Sequence, residues 1–256
     1  RTVLIGPMSG GYQCTSGYET ATGGCSTLSG SLSKAANWTN FTSVSGCQIN
    51  CLSHGPQHGK QLCNDTTQLD QAMELAKLAD QIIVAVGIDQ SVTGEGRDRI
   101  NITLPGQQPE LVSRIIALNK PTVLVLVNGA PLGIEMFVDG IDAIVESWQP
   151  GTAGMSALAS LLLGRENRWG RLAVTMYRST FVQEQALIQY SQTKPPGRTY
   201  KYYRQPVVFP FGAGMGYHMA GATCTLVPPY HQIYQVQCKV THLSGPTGDE
   251  VVQLYH

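Results

Sequence analysis

The chain has 256 residues, 42% of them apolar and only 13% charged, and its acids and bases cancel to a formal net charge of zero. That is enough apolar material for one large domain, or for a large and a small one. A neutral, charge-poor chain lacks the basic face that nucleic-acid binding needs, and no apolar run approaches the ~18 residues of a membrane span.

In chain order, "TVLIG" (2–6) reads as a short buried strand, followed by a Gly/Ser/Thr/Cys-rich loop to about residue 64. Thr66 or Thr67 is placed to cap a helix in which Leu69, Ala72, Met73, Ala76 and Leu78 recur at helical spacing. "QIIVAVG" (81–87) shows little alternation, which predicts a strand buried on both faces. After a loop, Pro105 and Gly106 open a second helix, "QQPELVSRIIALN", with Leu111, Ile115 and Leu118 inward. "TVLVLV" is the next strand, "NGAPLG" a turn and "LGIEMFV" a short helix. "DAIVESW" then reads as strand, "QPGTAG" as loop, "MSALASLLLG" as helix and "GRLAVTMY" as a last strand.

Strand alternating with helix over short connections predicts an α/β domain over 1–177, a mostly parallel sheet flanked by helices. Residues 178–217 are rich in Tyr, Gln, Pro and Arg without helical period, and read as an extended connecting segment. From 218 to 256 the pattern is short strands, "ATCTLV", "YQVQCKVTHL" and "DEVVQLY", the opening of a β-sandwich too short to complete one. The chain opens on a strand and ends within one, so the expectation is a piece of a longer protein.

Seven cysteines and four glycosylation sequons, at Asn37, Asn40, Asn64 and Asn101, favour an oxidising, secreted context. The disulfide candidates are Cys14, Cys25, Cys47, Cys51, Cys63, Cys224 and Cys238, with the last two on neighbouring strands and the odd count leaving one thiol over or paired with a cysteine outside this chain. A zinc site from Cys51, His54, His58 and Cys63 fits none of the common ligand spacings, and disulfides are preferred there.

The chemistry-bearing stretch is "VGIDQSVTGEGRDRINITLPG" (86–106). Glu95 sits between Gly94 and Gly96, past the carboxyl end of a buried strand, where open α/β sheets collect their functional groups. A lone acid on a Gly-rich loop is often only a solvated charge. Here the glycines permit a sharp turn and close approach to a ligand, and Arg97, Asp98 and Arg99 crowd one side. A carboxyl group poised to give and take a proton is what glycoside hydrolysis requires. "GPMSGG" near the start lacks the Lys-Ser/Thr of a phosphate loop, and no Gly-x-Gly-x-x-Gly follows a strand. Trp148, at the end of a strand, reads first as core or loop packing.

"VGIDQSVTGEGRDRINITLPGQQPELV" resembles the pattern of glycoside hydrolase family three, in which V-G-x-D leads to an E-G-x-D-R loop and then L-P-G-x-Q. "IGP", "SGCQINC", "WQPGTAG", "GRLAVTMY", "PGRTYKYY", "FPFGAGMGY" and "GDEVVQLY" are similar to further family motifs in the family's order, with the β-xylosidase branch nearest. The resemblance implies the α/β sandwich and the start of the fibronectin type III-like domain of a three-part enzyme. It implies Glu95 as general acid/base and a nucleophilic aspartate on an N-terminal barrel domain absent from this chain. Asp98 and Arg99 match the same motif as loop supports, and Asp89 matches the V-G-x-D aspartate in a structural or substrate-facing role.

The implied reaction is retaining hydrolysis of terminal β-linked sugars from glycans containing xylose, glucose or arabinose, with neither metal nor organic cofactor. Ala173, Met176, Ala213 and Gly216 depart from the family's residues, and "NRWG" replaces its usual N-P-G-G. These departures keep a second reading in view: a non-catalytic relative serving as a structural or sugar-binding component of an extracellular assembly.

Overall fold

The computed structural model describes residues 1–9, 26–36, 41–49, 65–230 and 233–255. Strand β1 (Thr2–Ile5) is followed by helix α1 (Leu28–Ala36), β2 (Phe41–Val44) and α2 (Thr67–Leu78). Then come β3 (Gln81–Gly87), α3 (Gln108–Ile116), β4 (Thr122–Val127), β5 (Ala143–Glu146) and α4 (Gly151–Leu162). The five strands form one parallel sheet in the order β2-β1-β3-β4-β5.

Strand side chains alternate between faces, and both faces here are apolar, so helices cover both. Val84, Val86, Leu124 and Leu126 meet Leu69, Ala72 and Met73 of α2 and Leu111, Val112 and Ile115 of α3. On the other face, Ile83, Ala85, Val125 and Val127 meet Leu28 and Leu32 of α1 and Met155, Leu158 and Ala159 of α4. The chain direction across the sheet reverses between β1 and β3. In sheets of this order the crevice beyond the carboxyl ends at that point is the usual ligand site.

Five stretches differ from the sequence expectation, four of them before residue 218. The long loop before residue 64 contains α1 and β2: Leu28 and Leu32 are fully buried, and their burial overrides the low helix propensity of the Ser and Gly around them. "LGIEMFV" forms turns ending in one 3₁₀ turn, Val138–Gly140. "GRLAVTMY" does not extend the parallel sheet. It runs antiparallel to 208–213, with the Leu172 N–H on the Ala213 carbonyl (2.8 Å) and the Met176 N–H on the Phe209 carbonyl (2.9 Å). The segment 178–217 carries two four-residue helices, α5 (Phe181–Glu184) and α6 (Thr199–Tyr202), too short to show a period. Packing of Phe181 on Tyr177 and Tyr203 fixes them.

Beyond this lies an antiparallel pair, β6 (Met219–Tyr230) and β7 (Ile233–Ser244), in which Cys224 and Cys238 stand opposite each other and are disulfide-bonded. Residues 249–255 are not strand. Glu250 is ion-paired with Arg171, and Asn167 accepts the Tyr217 N–H (2.9 Å), which ties the segments flanking the pair to the larger layer. Cys47, a disulfide candidate by sequence, is instead a free thiol inside the α2/α3 core cluster, and its burial pushes its pKa up to about 12. Cys14, Cys25, Cys51, Cys63, His54 and His58 lie outside the described residues, as do Asn37, Asn40 and Asn64.

One side chain fixes where β3 stops. A Cβ on Gly87 would lie 1.8 Å from the Val127 carbonyl oxygen, so this position admits only glycine. Its bare backbone needs partners, and the fully buried Gln108 supplies both. Gln108 Oε1 accepts the Gly87 N–H (2.7 Å), while Nε2 donates to the carbonyls of Gly87 (2.8 Å) and Ile49 (2.6 Å). Gln108→Leu keeps the size of the side chain and strands these groups. It is expected to lower the unfolding free energy by about 3 kcal/mol or more, read as a reduced urea midpoint.

Candidate active site

The site is built on the excursion between Gly87 and Gln108. At its start, Asp89 Oδ1 accepts the backbone N–H of Ser91 (2.9 Å), and the Asp89 carbonyl accepts the N–H groups of Val92 (3.0 Å) and Thr93 (3.1 Å). Asp89 thus winds the first turn of the loop. A tight turn comes next, with the Arg97 N–H on the Gly94 carbonyl at 3.0 Å. Gly96 has φ +70° at its third position, the pattern of a type II turn, and Glu95 stands at its tip. Of the two flanking glycines, only Gly96 needs its conformational freedom.

Two arginines anchor the legs. Arg97 Nη1 donates to the Gln90 carbonyl (2.9 Å) across the turn. Arg99, half-buried, donates from Nη1 to the Pro131 carbonyl (3.2 Å) and from Nη2 to the Thr103 carbonyl (2.9 Å). Burial pulls its pKa down from the ordinary guanidinium value. Further along the chain, the Thr103 N–H donates to Asn101 Oδ1 (2.8 Å), and the Gly133 N–H donates to the Ile102 carbonyl (2.8 Å). The return leg is therefore fastened to the loop that leaves β4. Glu95 and Asp98 are both exposed, and neither has a hydrogen bond or ion pair among the described residues. Of the sequence candidates, Asp89, Arg99 and Asn101 act on the backbone of the loop, while Glu95 at its tip and Asp98 beside it make no side-chain hydrogen bond or ion pair among the described residues.

A second group at the same sheet edge joins Trp148, read from sequence as core or loop packing, to two residues the sequence did not single out. Asn128, just past β4, is fully buried and donates from Nδ2 to Glu146 Oε2 (3.3 Å), and its backbone N–H donates to the Trp148 carbonyl (3.2 Å). Glu146 Oε1 accepts the Trp148 N–H (3.1 Å). Trp148 is held at φ +52°, a left-handed backbone that costs a non-glycine residue roughly 1–2 kcal/mol. No cation lies within ion-pair distance of Glu146 among the described residues, and burial raises its pKa to about 7, against the lowering effect of the two donors. "NGAPLG" and "ESW" looked like an ordinary turn and strand end, and only the fold brings them together.

Among the described residues no group of His, Cys, Asp and Glu could hold a metal ion, and no helix is long and apolar enough to cross a membrane.

A parallel sheet in this order, with an unpaired carboxylate on an anchored turn beyond β3, defines an α/β sandwich with a carboxyl-edge site. Residues 1–217 match the family model described as the glycosyl hydrolase family 3 C-terminal domain, and the chain belongs to that family. It is 40% identical over 154 residues to a protein named probable beta-D-xylosidase 7 from Arabidopsis thaliana, covering 58% of this chain and 20% of that one. The fold is shared with a family 3 exo-β-xylosidase solved with a xylobiose aziridine activity-based probe: TM-score 0.75, 26% identity, 87% of this chain and 28% of the other. A β-glucosidase from Bifidobacterium adolescentis aligns with TM-score 0.78 and 25% identity, over 95% of this chain and 36% of its own. The chain thus spans about a fifth of the length of the first curated relatives it matches.

The raised Glu146 carboxyl makes stability depend on pH. The folded pKa lies above the unfolded one, so the contribution is fully present below about pH 4.5 and is lost as pH rises through about 7. Wild type is expected to lose up to about 3 kcal/mol across that window. Glu146→Gln is expected to remove most of that dependence in urea titrations at stepped pH.

Proposed function

We propose that this chain supplies the general acid/base of a retaining β-glycosidase of the β-xylosidase kind. Glu95 is that group, and the nucleophilic aspartate belongs to a barrel domain outside this chain. The observation that carries the reading is the tip of the loop: an exposed, unpaired carboxylate on a turn whose legs are tied down by Arg97 and Arg99. A solvated surface charge needs no such anchoring. A group that must meet a substrate held elsewhere does.

The chemistry runs in two proton-balanced steps. The aspartate attacks the anomeric carbon as the glycosidic C–O bond breaks, and the Glu95 carboxyl gives its proton to the leaving oxygen. The Glu95 carboxylate then takes a proton from water as that water attacks the same carbon, freeing the sugar and the aspartate. The two carboxyl groups must come within about 5–5.5 Å for this, so the tip reaches across a domain boundary. Substrates are β-linked glycans of xylose, glucose or arabinose type, cut from the non-reducing end.

The four sequons suit a secreted glycoprotein. Asn101 is exposed, and its Oδ1 is engaged by the Thr103 N–H while its Nδ2 donates to no protein group among the described residues, an arrangement compatible with a glycan on that nitrogen.

Two outcomes check the reading. In the full-length protein, Glu95→Ala is expected to lower kcat/KM for an aryl β-xyloside by about 10²–10⁴-fold where the leaving group needs its proton. Equal rates for variant and wild type would remove Glu95 from the role, while an inert full-length wild type would favour the non-catalytic reading. Glycopeptide mass spectrometry of the protein from a secretory host is expected to find Asn101 occupied, and an unmodified Asn101 peptide contradicts that assignment.

A further inference from the structure

Trp148 is an anomaly among the large side chains. It is half-buried, yet it belongs to neither hydrophobic cluster and to no aromatic pair among the described residues, whereas Trp169 packs in both ways. A tryptophan kept for packing would lie in one of these. Its backbone is left-handed, a conformation that glycine adopts freely and tryptophan does not. Such a residue persists where its surroundings over-determine it, and such residues cluster at functional sites.

The surroundings do over-determine it. Glu146 Oε1 takes its N–H and the Asn128 N–H takes its carbonyl, while Asn128 Nδ2 reaches Glu146 Oε2 and closes the ring of contacts. Asn128 is fully buried, and its Oδ1 has no hydrogen-bond partner among the described residues, so a polar demand is left open beside Trp148. This polar network fixes the backbone that carries one aromatic side chain.

Its location supplies the purpose. The loop leaving β4 is shared: Asn128 at its start holds Trp148, and Pro131 further along receives Arg99 from the Glu95 loop. Neighbouring strands lie ~4.8 Å apart, so the carboxyl ends of β3 and β5 are about 10 Å apart across β4. A general acid approaches the glycosidic oxygen from the leaving-group side, so the domain that carries it flanks the leaving group. Sugar rings present apolar C–H faces, and aromatic side chains line the sites that bind such surfaces.

We propose that Trp148 is a binding platform for the leaving-group sugar of a β-linked glycan, one unit beyond the bond that Glu95 protonates. This rests on Glu95 being the acid/base, and it makes Trp148 a specificity residue for the unit to which the cleaved sugar was attached.

The test separates the two claims. Calorimetry is done on the full-length protein in a Glu95→Gln background, where bound disaccharide is not consumed, with and without Trp148→Gly. Xylobiose is the disaccharide probe and xylose the monosaccharide. The expected result is a Kd for xylobiose about tenfold higher without Trp148, an unchanged Kd for xylose, and a Tm that is unchanged or raised because glycine relaxes the left-handed backbone. An unchanged Kd for xylobiose overturns the platform. Equal weakening of both sugars with a lowered Tm also overturns it, by showing that Trp148 packs the fold. The acid/base reading is scored apart with Trp148 in place. Glu95→Gln is expected to lower kcat/KM for an aryl β-xyloside with a basic leaving group by about 10²–10⁴-fold, while lowering it far less for β-xylosyl fluoride, whose leaving group needs no proton. Equal losses on both would remove Glu95 from the role without touching the platform.

Discussion

The Gln108 amide is the contact on which the site depends. Gly87 and Gln108 are 21 residues apart, and one side chain bonds both backbone groups of the glycine. The long excursion between them therefore begins and ends at one point on the sheet edge. Closing a loop costs conformational entropy, and here a buried, fully paired amide offsets it. The same bonds satisfy backbone that the sheet cannot, because the Val127 carbonyl occupies the space a side chain at residue 87 would need. Without this closure, the smaller ties inside the loop, made by Asp89, Arg97 and Arg99, would hold a turn that had no fixed place.

Within that frame the loop is built mostly from backbone acceptors. Arg99 donates to the carbonyls of Pro131 and Thr103, and Arg97 to that of Gln90, so neither cation pairs with a carboxylate there. That leaves Glu95 without a partner in its own loop. A carboxylate locked to an arginine would lose the freedom to exchange a proton, and the arrangement avoids this by directing its cations to the main chain. The other acid at this sheet edge, Glu146, has the opposite surroundings: it is largely enclosed, bonded to Asn128 and Trp148, and its pKa is raised to about 7 by burial. One edge thus carries an exposed acid suited to exchange with a substrate and an enclosed one suited to holding backbone.

Much of this was legible in the sequence where a single physical pattern dominates. The uninterrupted apolar run at 82–86 predicted a strand covered on both faces, and the spacing of Leu69, Ala72, Met73 and Ala76 predicted the α2 face that meets it. The turn at Glu95 was visible because glycine marks it. Helix α1 and strand β2 were not visible, since Ser and Gly carry no period and only Leu28 and Leu32 reveal which face is buried. Neither threonine at the start of α2 caps it with its side chain: the Thr67 N–H is taken by Asp65 Oδ1 at 2.9 Å, while the Thr66 hydroxyl turns to Asp70. The Asn128, Glu146 and Trp148 group depends on two strands lying side by side, which no local pattern reports. The role of the motif glutamine had the same obstacle, because its partners are backbone atoms far away in the chain.

The central claim is that Glu95 acts twice, as acid and then as base. Removing it should stall the second step even when the first is made easy by a leaving group that needs no proton. A small anionic nucleophile that requires no base can then take the place of water. The direct measurement is turnover of an activated aryl β-xyloside by the full-length Glu95→Ala protein with increasing azide. The expected result is a slow variant whose rate is restored by azide, with the product a β-xylosyl azide of retained configuration. A rate indifferent to azide, or a variant as fast as wild type in its absence, would contradict the account.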